Sequence, residues 1–298
     1  MSILNRPSDG LFNVLIVILR CLIRVGAMSE KKLIDMCAPQ TAVSSQDQAK
    51  KTLNRWRELG LLVDDDDKIA IAPDYQKQLS KKNLSNYAMA SVMRAVILNP
   101  ANNERFWVSE GNRSADFTRA VCWMLAQDVF AFQPTSHSVA EKLESSQLAN
   151  ETVFTNDTRW SGFKSWASFL GFGYLGHFPG NVFVIDPTTA INDVVTELFD
   201  ADEKVPVSKF LLTLAESLPV LDGGTYRKAV EEKINEKTWR HPNDKQISQS
   251  LSRALLRMRE ASLLRLEDLA DAERFSLLGR ENRIIQSVSH IVWKGRTK

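Results

Sequence analysis

The sequence predicts a mainly α-helical protein with small β-hairpins, built from two or three tandem winged helix-turn-helix domains joined by helices. Apolar residues recur at helical spacing through much of the chain. Short alternating stretches bounded by turn residues follow some of these helices, and the order of helices and hairpin recurs along the chain. With 298 residues, 44% of them hydrophobic and 25% charged, the chain has the composition of a globular protein of about two domains, or three small ones.

The first copy of this order occupies residues 9–73. Its first helix is "LFNVLIVILRCLI", which we expect to be buried. A signal peptide is the alternative interpretation, whereas a membrane span would need about 20 apolar residues. Ser29 is expected to cap the second helix. The third begins at a capping box formed by Ser45 and Gln48 and ends at Gly60.

The third helix of this copy carries a buried stripe and leads into a hairpin. Ala49, Leu53 and Trp56 fall on one face at 100° per residue, so they are predicted to pack against the other two helices. "LLV", "DDDD" and "KIAIA" then read as strand, turn and strand. Three helices followed by a hairpin is the layout of a winged helix-turn-helix domain.

The same order is predicted twice more. Residues 163–187 contain a helix with Trp166, a Pro-Gly-Asn turn and an alternating "VFVI" strand. In residues 247–278 an amphipathic helix leads to "SLLRLEDL", an acidic turn and "RFSLL", which we interpret as a third helix and hairpin. The alternative is that a helix followed by a hairpin recurs by chance in a helix-rich protein.

Charge and aromatic content divide the chain into three predicted segments. Residues 1–82, a winged-helix domain, hold 13 basic and 10 acidic residues. Residues 83–204, a helical segment plus the second winged helix, hold 8 and 14, and contain 17 of the 25 aromatic residues. Residues 205–298, a helical domain with the third winged helix, hold 17 and 12. Most of the aromatic side chains are expected in the core, with some left for a protein contact.

Basic and amide side chains on the outer faces of two helices are candidates for DNA contact, because Lys and Arg bind phosphates and Asn pairs with base edges. The predicted nucleic-acid-binding residues are Lys50, Lys51, Asn54 and Arg55 in the first copy and Arg253, Arg257 and Arg259 in the third. The corresponding face of the second copy, with Ser161, Lys164, Ser165 and Ser168, is almost uncharged. A solvated helix face is the alternative for each set.

The four aspartates at 64–67 disfavour a close contact between the first hairpin and the DNA backbone. Like charges near phosphates cost at least a few tenths of a kcal/mol for each close pair, even when salt screens them. We expect a solvated turn that points away from DNA. A surface for a basic partner and a cation site are the alternatives.

The sequence shows no catalytic constellation, so an enzyme is not expected. It lacks a phosphate-binding loop, a GxGxxG motif and an HExxH motif. The three cysteines form no CxxC pair, which favours reduced thiols in a cytoplasmic protein over a disulfide framework or a zinc cluster. No catalytic residue, metal, cofactor or small-molecule substrate is predicted, although a nuclease assembled from scattered acidic residues stays open.

The N-terminal stretch "ILNRPSDGLFNVLIVILRCLIRVGAMSEKKLIDMCAP" resembles the N-terminus of DpdG proteins. Those are encoded in bacterial islands that install 7-deazaguanine bases in DNA and restrict unmodified DNA. The resemblance implies a bacterial cytosol, antiviral or antiplasmid defence and a multi-protein assembly. It carries over no catalytic residue.

Together these observations predict a non-enzymatic winged-helix protein, an accessory DNA-binding or adaptor component of a restriction system. Its expected partners are DNA and other defence proteins, with no membrane. A pure protein–protein adaptor and a transcriptional repressor are the alternatives, and salt-dependent DNA binding separates the adaptor from the others.

Overall fold

The computed structural model describes residues 2–4, 11–80, 85–108, 111, 113–176 and 182–295. The chain divides into two compact units, Met1–Asp116 (unit 1) and Phe117–Lys298 (unit 2). The division at residues 82 and 204 rests on composition alone and stays a prediction. The described part of the chain is mainly helical, with twelve α-helices and small antiparallel hairpins, as predicted. None of its helices combines the length and the apolar character that a membrane crossing needs.

Unit 1 begins with three helices and a hairpin in the predicted order. They are α1 (Phe12–Val25), α2 (Glu30–Cys37), α3 (Asp47–Glu58), β1 (Leu62–Asp65) and β2 (Lys68–Ile71). Ala49, Leu53 and Trp56 are buried, which confirms the stripe. Gly60 has a φ of +82° just past α3, a conformation that glycine adopts without strain, and it ends the helix as predicted.

The predicted capping box at the start of α3 is wrong. The Ser45 hydroxyl accepts the Asp47 N–H at 3.1 Å, so its bond is local. Gln46 is the residue at the cap position, and its side-chain amide donates to the Asp35 carboxylate (3.0 Å) and the Ala38 carbonyl (2.9 Å). The side-chain contact between Gln46 and the end of α2 therefore takes the place of the predicted capping box.

The first hairpin turns within the four aspartates. Asp64 and Asp65 belong to β1, and Asp65 pairs with Lys68, so the turn is the Asp66-Asp67 pair alone. A third strand-like contact joins this hairpin to the residues before α2. Met28 and Ile69 exchange two backbone hydrogen bonds, of 3.3 and 2.8 Å.

The rest of unit 1 packs behind this motif. α4 (Pro73–Gln76) follows the hairpin, and α5 (Asn86–Leu98) is buried around most of its circumference, as a core helix is. The buried Asn102 amide donates to the carbonyls of Leu59 and Val96, both at 2.9 Å. This side chain fastens the end of α3 to α5.

Unit 2 opens with a second set of three helices and a hairpin. They are α6 (Ala115–Ala126, which begins at the end of unit 1), α7 (His137–Leu148), α8 (Asp157–Phe169), β3 (Gly173–Gly176) and β4 (Val182–Ile185). Trp166 is buried as predicted, and rings of Phe154, Trp160, Phe163 and Phe183 pack edge to face or stacked. The predicted Pro-Gly-Asn turn lies outside the described residues.

The remainder of unit 2 combines helices with two small sheets. The elements are α9 (Thr188–Leu198), β5 (Lys204–Pro206), α10 (Val207–Ser217), α11 (Thr225–Glu231), β6 (Gln246–Ile247), α12 (Gln249–Glu260), β7 (Leu264–Glu267), β8 (Phe275–Leu278), β9 (Ile284–Val288) and β10 (His290–Trp293). The sheets have the orders β5-β10-β7 and β6-β8-β9.

The predicted third hairpin is wrong in its pairing. "SLLRLEDL" provides β7, but β7 pairs with β10 and not with the "RFSLL" strand. That strand is β8, and it forms an antiparallel hairpin with β9. The residues Ile291, Val292 and Trp293 of β10 are all buried. Because β10 supplies these apolar side chains, β7 pairs with it although β10 lies at the far end of the segment.

Candidate nucleic-acid interface

The outer face of α3 presents three of the predicted DNA-binding side chains to solvent. Lys50, Lys51 and Asn54 are exposed and lie within about 100° of one another around the helix axis. They face away from the stripe that packs α3 against α1 and α2. This face is therefore open for contact, although Asp47 and Glu58 are exposed on the same helix.

Arg55 does not belong to this face, and its predicted outward orientation is wrong. The residue is only 4% exposed, and its guanidinium Nη1 bonds the Glu58 carboxylate at 2.7 Å. Thr52, three residues earlier on the same flank, is also buried. The buried surface of α3 therefore includes these two polar side chains as well as the apolar stripe.

Arg57 is a side chain of this region that the sequence pattern did not single out. Its guanidinium bonds the Glu30 carboxylate at the start of α2 (2.8 Å) and the Asp64 carboxylate on β1. It thereby joins α2, α3 and the hairpin, and pairs the first of the four aspartate charges. Asp65, Asp66 and Asp67 are exposed at the hairpin tip.

Replacing Arg57 with alanine is expected to lower the free energy of unfolding of unit 1 by about 1 kcal/mol. The reason is that two partly exposed ion pairs, each of modest strength, are lost together. Urea denaturation followed by far-UV circular dichroism measures the loss. Lys50→Ala, an exposed position on the same helix, is the matched control and should stay within about 0.5 kcal/mol of the wild type. Equal midpoints for the two variants would contradict the bridging role.

The predicted arginines of α12 lie in unit 2, and Arg253 is directed inward. Its side chain is 15% exposed, and it donates to the backbone carbonyls of Val129 (3.0 Å) and Ile185 (2.6 Å). Desolvation by burial lowers the pKa of Arg253 from its ordinary value, against the opposing effect of Asp186. The prediction that Arg253 points outward is therefore wrong: it fastens α12 to the segment that ends at β4.

Arg257 and Arg259 are more exposed but are also engaged. The Arg257 side chain is 50% exposed and donates to the buried Asp186 carboxylate at 2.6 Å. Desolvation lowers the pKa of Arg257, but the Asp186 charge and hydrogen bonds to Tyr174 and Asp186 raise it more. Arg259 donates to the Gln286 side chain on β9 at 2.7 Å. Their partners are up to 83 residues away in sequence, so no local pattern revealed them.

The face of α8 offers little to a phosphate backbone. Ser161 and Ser165 are exposed, and the one lysine among the predicted outward residues, Lys164, lies over the Trp160 ring at 5.5 Å. The described residues contain no group of three or more His, Cys, Asp or Glu side chains placed to hold a metal ion. Of the three helices compared, α3 thus keeps the most open basic face.

Comparisons with known proteins place the chain in a family. No curated protein and no solved structure matches it significantly. A family model described as DpdG-like matches residues 1–272 of the 298, so the similarity extends far beyond the N-terminal stretch. The predicted resemblance is thereby confirmed, and that family is associated with a DNA modification system. This chain belongs to the DpdG-like family.

Proposed function

We propose that this protein is a non-enzymatic, cytoplasmic winged-helix component of a bacterial DNA modification-dependent defence system. In this proposal unit 1 contacts DNA through α3, and unit 2 is the adaptor that binds other proteins of the system. The observation that carries it is the open face of Lys50, Lys51 and Asn54 on the third helix of a three-helix, hairpin-bearing motif.

The arrangement of strands in unit 1 supports a winged helix. In that motif a short strand before the second helix pairs with the last strand of the hairpin, which places the last strand in the middle. The Met28–Ile69 contact has this position, since Met28 precedes α2 and Ile69 lies on β2. The third helix of such a motif is the one that enters the major groove.

Unit 2 has a backbone contact at the corresponding position before α7 and a strand pairing at the corresponding position before α10, and both support a tandem repeat. Before α7, the Pro134 carbonyl accepts the Phe183 N–H of β4 at 3.2 Å. Before α10, β5 pairs with β10, which also pairs with β7. In this interpretation α9, α10 and α12 are the three helices of the third copy, and α11 is an insertion between the second and the third of them.

The charges of the first hairpin favour DNA contact by α3 alone, without a second contact from the hairpin. Asp64 is paired with Arg57, but Asp65, Asp66 and Asp67 keep three exposed carboxylates at the tip. Because each would repel nearby phosphates, the tip is expected to stay away from the backbone. A DNA complex that relies on one helix face should therefore be weak and sensitive to salt.

The third helices of unit 2 suit an adaptor better than a DNA reader. On α12, Leu251, Ala254, Leu255 and Met258 are buried and the arginines hold neighbouring segments, whereas α8 has almost no free charge. A winged helix whose reading face is covered or neutral retains its fold as a scaffold for protein contacts. This distribution is why we assign DNA contact to unit 1 alone.

Changing Lys50 and Lys51 together to alanine is expected to flatten the salt dependence of DNA binding. Each phosphate contact contributes a slope of about 0.9 to log K against log salt, so the double variant should lose nearly 2. Fluorescence anisotropy with a labelled duplex, between about 50 and 200 mM salt, measures the slope. Asn54→Ala should leave the slope unchanged, because Asn carries no charge.

The matched control removes two exposed lysines of unit 2, Lys209 and Lys237, and thus the same net charge. It should keep the wild-type slope. If both double variants lose the same slope, general electrostatic attraction explains binding and α3 is not the contact. A wild-type protein with no salt-dependent DNA binding would instead support the pure adaptor. A preference for one sequence of about 10³ or more would support the repressor.

A further inference from the structure

The strand β9 lies at an open edge of its sheet in unit 2. The sheet has the order β6-β8-β9, so β9 pairs with β8 on one side, and no described strand pairs with its other side. Ile284 and Ile285 are 55% and 48% exposed at the start of β9, and the strand contains no charged residue. Such an edge offers unpaired backbone groups and apolar side chains to another strand.

The hydrogen bonds of β8 show which backbone groups of β9 face outward. Ser276 of β8 donates its N–H to the Lys245 carbonyl at 2.8 Å, on the β6 side of the sheet. Its antiparallel partner on β9 is Ser287, so these two residues form a pair without mutual hydrogen bonds. The N–H and C=O of Ser287 therefore point away from β8, toward the open edge.

Three other edge strands carry features that discourage pairing, and β9 carries none of them. β1 contains Asp64 and Asp65, β7 contains Arg265 and Glu267, and β5 has three residues and ends at Pro206. Charged side chains, proline and short length protect an edge strand from pairing with other chains. The five uncharged residues of β9 leave its edge without this protection.

Both ends of β9 are held by the rest of unit 2. At its end, Val288 is fully buried. Before its start, the Gln249 side-chain amide donates to the Asn282 side chain at 3.2 Å, and the Asp128 carboxylate accepts the Glu281 N–H at 2.9 Å. A strand fixed in this way loses little conformational freedom when a second strand binds to it.

The charges beside β9 favour an acidic partner. Arg280 lies 3.6 Å from the Glu281 carboxylate, and Arg259 bonds the Glu260 carboxylate at 2.8 Å, so these charges are paired within the protein. Arg283, exposed directly before β9, has no ion pair among the described residues. It leaves an unpaired positive charge at the start of the strand, which an acidic side chain complements.

We propose that β9 binds an extended segment of a partner protein, which adds to the sheet as a further strand and places an acidic residue beside Arg283. The outward N–H and C=O of Ser287 pair with the backbone of this segment, and Ile284 and Ile285 contact its apolar side chains. The inference rests on the adaptor role proposed for unit 2, and it names the binding surface and the chemistry of the partner.

The test selects peptides from a phage-displayed random library on the full chain and measures their synthetic copies by fluorescence anisotropy. Selected peptides should be rich in Val, Ile and Thr and carry Asp or Glu at one end. Ser287→Pro should weaken their binding about tenfold or more, because it removes an N–H that makes no bond to β8 and leaves a peptide carbonyl unpaired. Ser287→Ala, the matched control, keeps this N–H and should bind within about twofold of the wild type.

A charge exchange tests the acidic character of the partner. Arg283→Glu should weaken binding of the acidic peptides and strengthen binding of copies in which Lys replaces the acidic residue. If the wild type and this variant show the same preference between the two peptides, the acidic partner is wrong.

Amide hydrogen exchange of the wild type gives a readout that needs no variant, and it decides if circular dichroism shows that Ser287→Pro is unfolded. A bound peptide should slow exchange of the Ser287 amide, which is open in the free protein. The Gln286 amide, which faces β8, should change much less. Unchanged exchange at Ser287 with peptide bound would contradict the proposal.

Three further results would overturn the proposal. They are a selection that enriches no peptide, peptides that bind Ser287→Pro and Ser287→Ala equally, and a wild-type dimer that Ser287→Pro dissociates, since a second copy would then occupy β9.

Co-purification from the native host separates this inference from the proposed function. Partner proteins that stay bound equally to the wild type and to Ser287→Pro would leave the adaptor role standing and remove β9 as its surface. If no partner protein co-purifies with the wild type, the adaptor role is wrong, and the peptide measurements still decide whether β9 accepts a strand.

Discussion

Replacing Trp56 with alanine is expected to lower the free energy of unfolding of unit 1 by about 3–5 kcal/mol, the usual cost of removing a buried large aromatic side chain. Trp56 is fully buried on the face where α3 packs against α1 and α2. Its backbone carbonyl also accepts the Leu61 N–H at 3.0 Å, where the chain leaves the helix for the hairpin. The cavity would loosen the support of α3, so the DNA binding that we propose for unit 1 should weaken as well.

Urea denaturation of the full chain, followed by far-UV circular dichroism, tests this expectation. The chain divides into two compact units, so the variant should show an early transition for unit 1 and a later one for unit 2. Val17→Ala on α1 is the control, because Val17 is 46% exposed and its loss should cost about 0.5 kcal/mol or less. A Trp56→Ala curve that matches this control would show that α3 does not depend on the tryptophan.

Replacing Glu144 with glutamine is expected to change how stability depends on pH. Glu144 lies on α7, is fully buried, and its carboxylate accepts the backbone N–H groups of Val153 and Phe154, both at 2.9 Å. Burial raises the pKa of Glu144 to about 7, although these hydrogen bonds and the charges of Arg119 and Arg159 lower it. The folded protein therefore holds this proton more tightly than the unfolded chain does.

The sign of the effect follows from that difference. The stability from the protonated carboxyl is fully present below the unfolded pKa of 4.5 and is lost as pH rises toward about 7. The total loss is about 3 kcal/mol, from roughly 1.4 kcal/mol for each pKa unit. Glutamine does not titrate but keeps an oxygen that accepts the two N–H groups. The variant should therefore gain stability relative to the wild type from pH 4 to pH 8.

Thermal and urea unfolding at several pH values measures this gain. Ser145→Ala, on the exposed side of the same helix, is the control and introduces no change in titration. Its stability should differ from that of the wild type by the same amount at every pH. A constant difference for Glu144→Gln as well would show that the carboxyl does not change its protonation on folding.

Local sequence patterns were sufficient to predict helices and hairpins whose residues lie close together in the chain. The order of helices and hairpin in residues 11–71 followed from apolar spacing and turn residues, and so did the helix that carries Trp166 and the hairpin after it. The helix α7 of the same copy was not predicted. The burial of Trp56 and Trp166 was predicted for the same reason. These features depend on contacts between residues that are near one another in sequence, and the spacing of their apolar residues is visible within a single short segment.

Long-range contacts decided the candidate site. Arg55 and Arg253 were predicted to face outward, but Arg55 is buried and Arg253 donates to the backbone carbonyls of Val129 and Ile185, which are distant in sequence. Arg57 acquired its role from the register of the hairpin, which brings Asp64 within bonding distance. The pairing of β7 with β10 likewise passes over the nearer strand β8.

By itself, then, the sequence determined α1, α2 and α3, the helix that carries Trp166, the first two hairpins and the exposed lysines of α3, since each is encoded by residues a few positions apart. Only the tertiary structure decided which arginines remain accessible and which strands complete each sheet. The physical reason is that a side chain's exposure and partners depend on surfaces contributed by remote segments. The free energy of packing those surfaces is a property of the whole fold, and no single window of residues contains it.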